Sequence, residues 1–299
     1  MELESPRFVP REEIFAARRR HQDDVRFAGL WVAGSLAGLA RYTVAVVGTR
    51  APSDAARVRA RQLGQALATA GVCVLSGLAL GIDGSAHEGS LAAGGPTLGV
   101  LGGGHRHFFP QRNRTLAREM VATGGGVLSP YAPDEPARPG QFLQRNGVVA
   151  ALADAVVIVE AAQRSGALNT AAWAGALGID VMAYPGDVER PKAAGCNALI
   201  RDGATLVRDP DDVLAAIGLA SEARLPLPVC EPSLGPAGSL EAGLRLLLGR
   251  EPADLDTLAT GLRAAPSDVL AALVRLEIGG HVERRDGYFS RAKAARSGS

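Results

Sequence analysis

Between positions 42 and 184 the sequence repeats one theme: a short apolar run rich in β-branched residues, then a glycine or small polar residue, then a stretch with helical spacing. The runs cover 43–47, 72–75, 97–101, 126–128, 155–160 and 181–184. Apolar runs of this length without alternation read as strands buried on both faces. The stretches between them read as helices over 53–70, with Ser53 as N-cap, after Asp83, over 113–122 and over 167–177. Strands that alternate with helices join through right-handed crossovers, so the fold class expected is α/β, a doubly wound and mostly parallel sheet.

The rest of the chain reads differently. Residues 1–41 are mixed: Arg18, Arg19 and Arg20 lie in a charged stretch of helical character, and 27–40 is rich in Ala, Gly and Leu and fit to pack on the main domain. Residues 219–239 carry several Pro, Glu and Gly without periodicity and read as a linker. Helices are expected from Leu240, Asp254 and Pro266, followed by a hairpin turning at Asp286-Gly287, which is the outline of a small winged helix.

Composition narrows the class. The chain has 299 residues, 47% of them hydrophobic and 4% aromatic, so its core is built from aliphatic side chains. The formal net charge of +1 argues against a globally basic coat and leaves room for a local basic pocket. Cys73, Cys196 and Cys230 are far apart and odd in number, which fits a reduced, cytoplasmic protein without a metal-ligand spacing. No signal peptide is expected at the N-terminus, and no apolar stretch reaches about 18 residues, so no membrane span is expected.

In an open parallel sheet, ligands bind beyond the carboxyl ends of the strands. Four loops share that address: Gly48-Thr49-Arg50, Ser76-Gly77, Gly102-Gly103-Gly104 and Arg164-Ser165-Gly166. They combine free backbone N–H groups at helix starts, hydroxyls and guanidinium groups, the material of a phosphate site. Any one of them is most simply a tight strand-to-helix turn; four at one rim argue for a site. The dinucleotide fingerprint is missing because Gly48 stands alone, and no Gly-Lys-Ser/Thr exists, so neither hydride transfer nor nucleoside triphosphate hydrolysis is expected.

The other polar candidates have plainer readings. Asp83 reads as an N-cap and His87, four residues on, as a buried polar group bonded to a neighbouring loop. His105 and His107 lack a third metal ligand. Ser165 lacks the Gly-x-Ser-x-Gly elbow of a nucleophile. Glu160 ends a strand and orients Arg side chains, while Phe142 is either a core anchor or a stacking platform.

Read in order, the segments Val47-Gly48-Thr49-Arg50, Ser76-Gly77-Leu78-Ala79 with Asp83 and His87, Leu101-Gly102-Gly103-Gly104 with Pro110 and Asn113, Phe142 with Arg145-Asn146, Glu160 with Ser165-Gly166-Ala167-Leu168 and Thr170, Pro185-Gly186, and Gly195-Cys196-Asn197 closely resemble the DNA-processing protein DprA (Smf) family. The resemblance runs unbroken over about 42–217. It implies an extended Rossmann-like domain followed by a winged helix. The domains expected are an N-terminal helical extension over 1–41, a Rossmann-like domain that binds single-stranded DNA over 42–218, a linker over 219–239, a winged helix over 240–290 and a flexible tail over 291–299. The resemblance further implies protection of incoming single-stranded DNA, loading of RecA onto it in natural transformation, and a homodimer formed through the Rossmann-like domain; no cofactor is expected. By motif position the DNA-binding residues are Gly48, Thr49, Arg50, Ser76, Gly77, Phe142, Arg145, Asn146, Arg164, Ser165, Gly166 and Thr170. Gly147 is a departure, since the family usually has a second Arg there. Single-strand binders combine a charged groove with a stacking surface, which Arg50, Arg145 and Arg164 would supply with Phe142. The competing reading is a nucleotide-processing enzyme of the phosphoribohydrolase type, but 164–170 holds no acidic residue.

Overall fold

The computed structural model describes residues 3, 5–16, 27–219, 240–248, 252–285 and 287–292. The chain divides into two compact units, Met1–Ala223 and Arg224–Ser299. In chain order the first unit holds β1 (Arg7–Pro10), α1 (Arg11–Ala16), β2 (Gly29–Gly34), β3 (Thr43–Val47), α2 (Asp54–Thr69), β4 (Cys73–Ser76), α3 (Ile82–Ala92), β5 (Thr97–Val100), α4 (Arg114–Ala122) and β6 (Gly126–Ser129). It continues with α5 (Pro139–Ala151), β7 (Ala155–Ile158), α6 (Gly166–Ala176), β8 (Asp180–Ala183), α7 (Ala194–Arg201), β9 (Thr205–Leu206) and α8 (Pro210–Ala216).

The strands form one sheet in the order β1-β2-β6-β5-β4-β3-β7-β8-β9. From β6 to β9 every pairing is parallel; β2 joins β6, and β1 joins β2, antiparallel. The mostly parallel doubly wound sheet expected from the sequence is therefore the fold. Alternation within β3 splits the core in two: Val44 and Val46 pack with Ala60, Leu63 and Leu67 of α2, while Ala45 and Val47 pack on the face that holds Val148 and Val149 of α5 and Ala171 and Ala174 of α6. Successive strand residues point to opposite faces, which is why the run carries no polar residue.

The topology reverses at β3. Strands β4, β5 and β6 follow it on one side, and β7 is laid down on the other. The chain leaving β3 enters α2 on one face of the sheet and the chain leaving β7 enters α6 on the other, and such a reversal opens a crevice at the carboxyl rim of a sheet.

Three expectations are corrected. Among the described residues of 1–41 the expected helical extension is replaced in part by strands: β1 and β2 extend the sheet, with α1 between them. The cause is tertiary, because Leu30 and Val32 are buried against β6 in a segment too short to show a period. Pro10 confines β1 to the sheet edge. Residues 220–239 of the linker, Cys230 among them, Arg18 to Arg20, the turn residue Asp286 and residues 293–299 of the tail lie outside the described residues. Second, α5 has no counterpart among the elements expected from sequence, since Gly140 and Gly147 weaken its pattern. Third, Asp83 is not an N-cap: Gly81 caps α3, at φ +84°.

The second unit holds α9 (Leu240–Leu247), α10 (Leu255–Leu262), α11 (Pro266–Ile278) and the hairpin of β10 (Val282–Arg285) and β11 (Tyr288–Arg291) around a core that includes Leu244, Leu258, Leu273 and Phe289. On α11 the single cation, Arg275, is bound by Glu241 at 2.7 Å, and Leu270, Val274 and Ile278 are exposed. Among the described residues no helix is long and apolar enough to cross a membrane.

Candidate nucleic-acid interface

The crevice at the reversal point is a cavity of about 430 Å³. Nine of the twelve DNA-binding residues expected from sequence line it: Gly48, Thr49 and Arg50 from the loop after β3, Phe142, Arg145 and Asn146 from α5, and Ser165, Gly166 and Thr170 from the start of α6. The β3 loop is held by the neighbouring one, with Thr49 N–H donating to the Glu160 carbonyl at 2.8 Å. Ser53 caps α2 by accepting from Ala56 N–H, and Glu160 accepts from both the Ser53 N–H and hydroxyl at 2.8 Å. Glu160 thus locks the rim through Ser53, where the sequence reading had it orienting Arg side chains. At α6, Ser165 is the N-cap and accepts from Ala167 N–H at 3.3 Å, so the positive end of that helix faces the cavity.

Beneath this rim lies a buried polar layer. Asp83 is 3% exposed and accepts from Gly77 N–H at 3.0 Å and Ala79 N–H at 3.4 Å. Asn113 donates to the carbonyls of Leu78 and Ala79, both at 2.9 Å. Arg145, 4% exposed, donates through Nη1 to the carbonyls of Gly77 and Val100. Together these groups hold Leu78 at φ +55°, a left-handed conformation that a leucine adopts only where the surroundings impose it. Gly77 leaves room for the Arg145 guanidinium, which a Cβ there would meet at 2.6 Å. Burial pulls the Arg145 pKa down to about 10, opposed by the Asp83 charge and assisted by Arg50; burial pushes the Asp83 carboxyl up, opposed by Arg145.

Three sequence candidates take other places. Ser76 is fully buried, and its hydroxyl donates to the Val46 carbonyl at 2.6 Å, so it braces β4 against β3. Gly77 is buried too and borders a smaller slot of about 70 Å³ that Phe109 and Phe142 also line. Arg164 is exposed on the loop that carries Ser165 and does not line the cavity. Arg145 does line it, but its guanidinium is spent on carbonyls below, leaving Arg50 as the cavity's solvent-reaching cation.

Phe142 is half-buried rather than a core anchor. Arg50 lies over its ring at 5.7 Å, Arg145 at 6.0 Å, and Phe109 meets it edge-on at 6.0 Å. Gly102 makes room for the ring, since a Cβ would come 2.5 Å from it. Asn146 ties α5 to α6, donating to the Gly166 carbonyl and to Asn169 Oδ1, both at 3.2 Å. Sequence reasoning missed Leu143, which lines the cavity while 51% exposed, and the exposed Phe109. Their signal was adjacency to a candidate aromatic and a Phe-Phe-Pro turn, respectively.

His87 and His105 are structural. His87 shares a 2.7 Å hydrogen bond with Thr97 Oγ1, and burial lowers its pKa to about 3. His105 Nε2 bonds the Val127 carbonyl at 2.9 Å. Burial raises Cys73 to about 12 and Cys196 to about 11, so neither is a reactive thiolate at neutral pH.

The family model for DNA recombination-mediator protein A matches residues 9–218, and that for the DprA winged helix domain matches residues 230–288. The putative DNA processing protein DprA of Mycobacterium tuberculosis is 42% identical over 266 residues, 86% of this chain and 67% of that protein. The solved structure of DNA processing protein A from Streptococcus pneumoniae superposes with a TM-score of 0.61 at 34% identity, covering 72% of this chain and 75% of that one. A second solved structure, of the Helicobacter pylori protein described for its single-stranded DNA binding mode, superposes with a TM-score of 0.59 at 26% identity, covering 70% of this chain and 92% of that one.

Proposed function

Because this chain belongs to the DNA recombination-mediator protein A (DprA, Smf) family, we propose that it binds single-stranded DNA without sequence preference in the crevice where the sheet reverses direction. In this reading it shields an incoming strand in natural transformation and homologous recombination and loads RecA onto it, as a cytoplasmic homodimer joined through the Rossmann-like domain. The observation that carries the reading is one cavity that brings together a solvent-reaching Arg50, the half-buried ring of Phe142 and the positive end of α6. Phosphate neutralisation and base stacking are the two requirements of a sequence-indifferent single-strand site. The cavity lies within the usual range for small-molecule sites, about 300–1,000 Å³, which suits one nucleotide unit rather than a duplex. The single-stranded DNA binding of the Helicobacter pylori protein supports the choice of ligand.

Asp83, the one carboxylate among the residues that line the cavity, accepts from the Gly77 loop, and Glu160 of the neighbouring loop accepts from Ser53. This favours a binding role over phosphoribohydrolase chemistry, which needs a carboxylate free to meet its substrate. On the second unit, Arg275 is neutralised by Glu241 and α11 is apolar outside, which favours a protein contact over a duplex groove. The test is fluorescence anisotropy with a labelled single-stranded oligonucleotide and its duplex, alongside incubation with AMP. Preference for the single strand, affinity falling with salt and no release of adenine are expected; failure to bind the single strand overturns the reading.

A further inference from the structure

Helices α5 and α6 run on from the cavity, and the surface they form carries no carboxylate of their own. Neither helix contains Asp or Glu, in a chain that has 31 of them. On this face stands Trp173, one of two tryptophans in the sequence. It lies three residues beyond Thr170, which lines the cavity, so the two are neighbours on the helix surface.

The indole rests on bare backbone. A Cβ at Gly147 would come 3.1 Å from Trp173 Cε2 and 3.2 Å from Cδ2. These are the two atoms shared by the fused rings, and their near-equal distances describe a ring face laid on α5. The residue is nonetheless 38% exposed. Gly147 is therefore the seat of an aromatic ring. Leu143, one helical turn before Gly147, lines the cavity and is 51% exposed, so apolar surface continues from the cavity to the indole. The Asn146 bonds to Gly166 and Asn169 hold the two helices in register between them.

We infer that Trp173 is a stacking platform for a further base of the strand held in the cavity, with the strand running over the α5–α6 face. This rests on the single-stranded DNA reading above. A supported, half-open ring next to a phosphate-accepting cavity meets the requirement for sequence-indifferent stacking, since every base has a π-face. Helices that contribute no carboxylate let phosphates approach without like-charge repulsion from their own side chains.

The test uses the full chain carrying Trp31→Phe, which leaves Trp173 as the lone indole; Trp31 belongs to β2, where it packs on Phe8 at 5.4 Å. Oligothymidylate is titrated while Trp173 emission and the anisotropy of a labelled oligothymidylate are both followed. Trp173 emission is expected to quench in step with binding. Trp173→Ala is expected to weaken binding about tenfold with an unchanged salt slope, because stacking and not phosphate contact is lost, and Trp173→Phe to stay near the parent. Binding seen by anisotropy with unchanged emission and an unaffected Trp173→Ala variant overturns the inference and leaves the binding site standing. No binding by anisotropy overturns both. Emission that changes with protein concentration alone shows a second copy covering Trp173 and overturns the inference.

Discussion

Of the three guanidinium groups that the sequence offers to a phosphate chain, the structure leaves two available, and this makes the salt dependence of binding a quantitative test. Arg145 is committed to the carbonyls of Gly77 and Val100. Arg50 lines the cavity and reaches solvent, and Arg164 is exposed beside Ser165, which lines it. The perturbation is Arg50→Ala with Arg164→Ala. Each phosphate neutralised on a single strand contributes about −0.7 to the slope of log K against log salt, so losing two flattens the slope by about 1.4. Between about 50 and 200 mM salt, a fourfold change, the parent then loses about sevenfold more affinity than the double variant. Each single variant is expected to account for about half of the change in slope. The assay is anisotropy of a labelled oligonucleotide at several salt concentrations, with urea unfolding to show that stability is unchanged. A double variant that binds with the parent's slope refutes the reasoning, since the charge counted at the rim would then be elsewhere.

Three further outcomes are expected. Arg145→Met leaves Asp83 buried opposite no charge and two carbonyls without their donor, so it lowers stability by about 3 kcal/mol; urea midpoints at constant m-value check this, and Asp83→Asn should restore part of the loss. Thr97 Oγ1 already donates to the Val74 carbonyl, so His87 Nδ1 carries the proton and Nε2 is a buried nitrogen without a partner. With its folded pKa lowered to about 3 from 6.5, His87 contributes stability that is present above pH 6.5 and lost as pH falls through that window, about 1.4 kcal/mol per pH unit; His87→Asn should flatten the acid limb of stability measured between pH 7 and 4, and an unchanged limb would contradict a neutral buried imidazole. Gly102→Ala pushes a methyl group against the Phe142 ring and should weaken single-strand binding about fivefold, seen by anisotropy, without altering the salt slope.

Much of the architecture was legible along the chain because the central strands are buried on both faces. A strand such as β3 has to be apolar at every position, and that leaves a continuous signature. The loop residues at the rim were legible for a related reason: a parallel strand that turns into a helix next to a ligand needs glycines and small caps, and Gly48, Ser165 and Gly166 stand at those turns. Outlying elements were not legible. β1 and β2 owe their place to pairing with β6, a contact made far away in sequence, and α5 carries two glycines that local propensity counts against a helix.

What the sequence by itself determined is the kind of fold and the rim where chemistry gathers, because burial on both faces and tight turns restrict residue type position by position. Tertiary structure alone decided the work of each polar group. Arg50 and Arg145 are the same residue type in neighbouring segments of one cavity; one reaches water and the other is consumed by carbonyls beneath it. A side chain's charge is written in the sequence, but whether that charge is spent inside the protein or left for a ligand depends on which backbone groups the fold brings within hydrogen-bond reach.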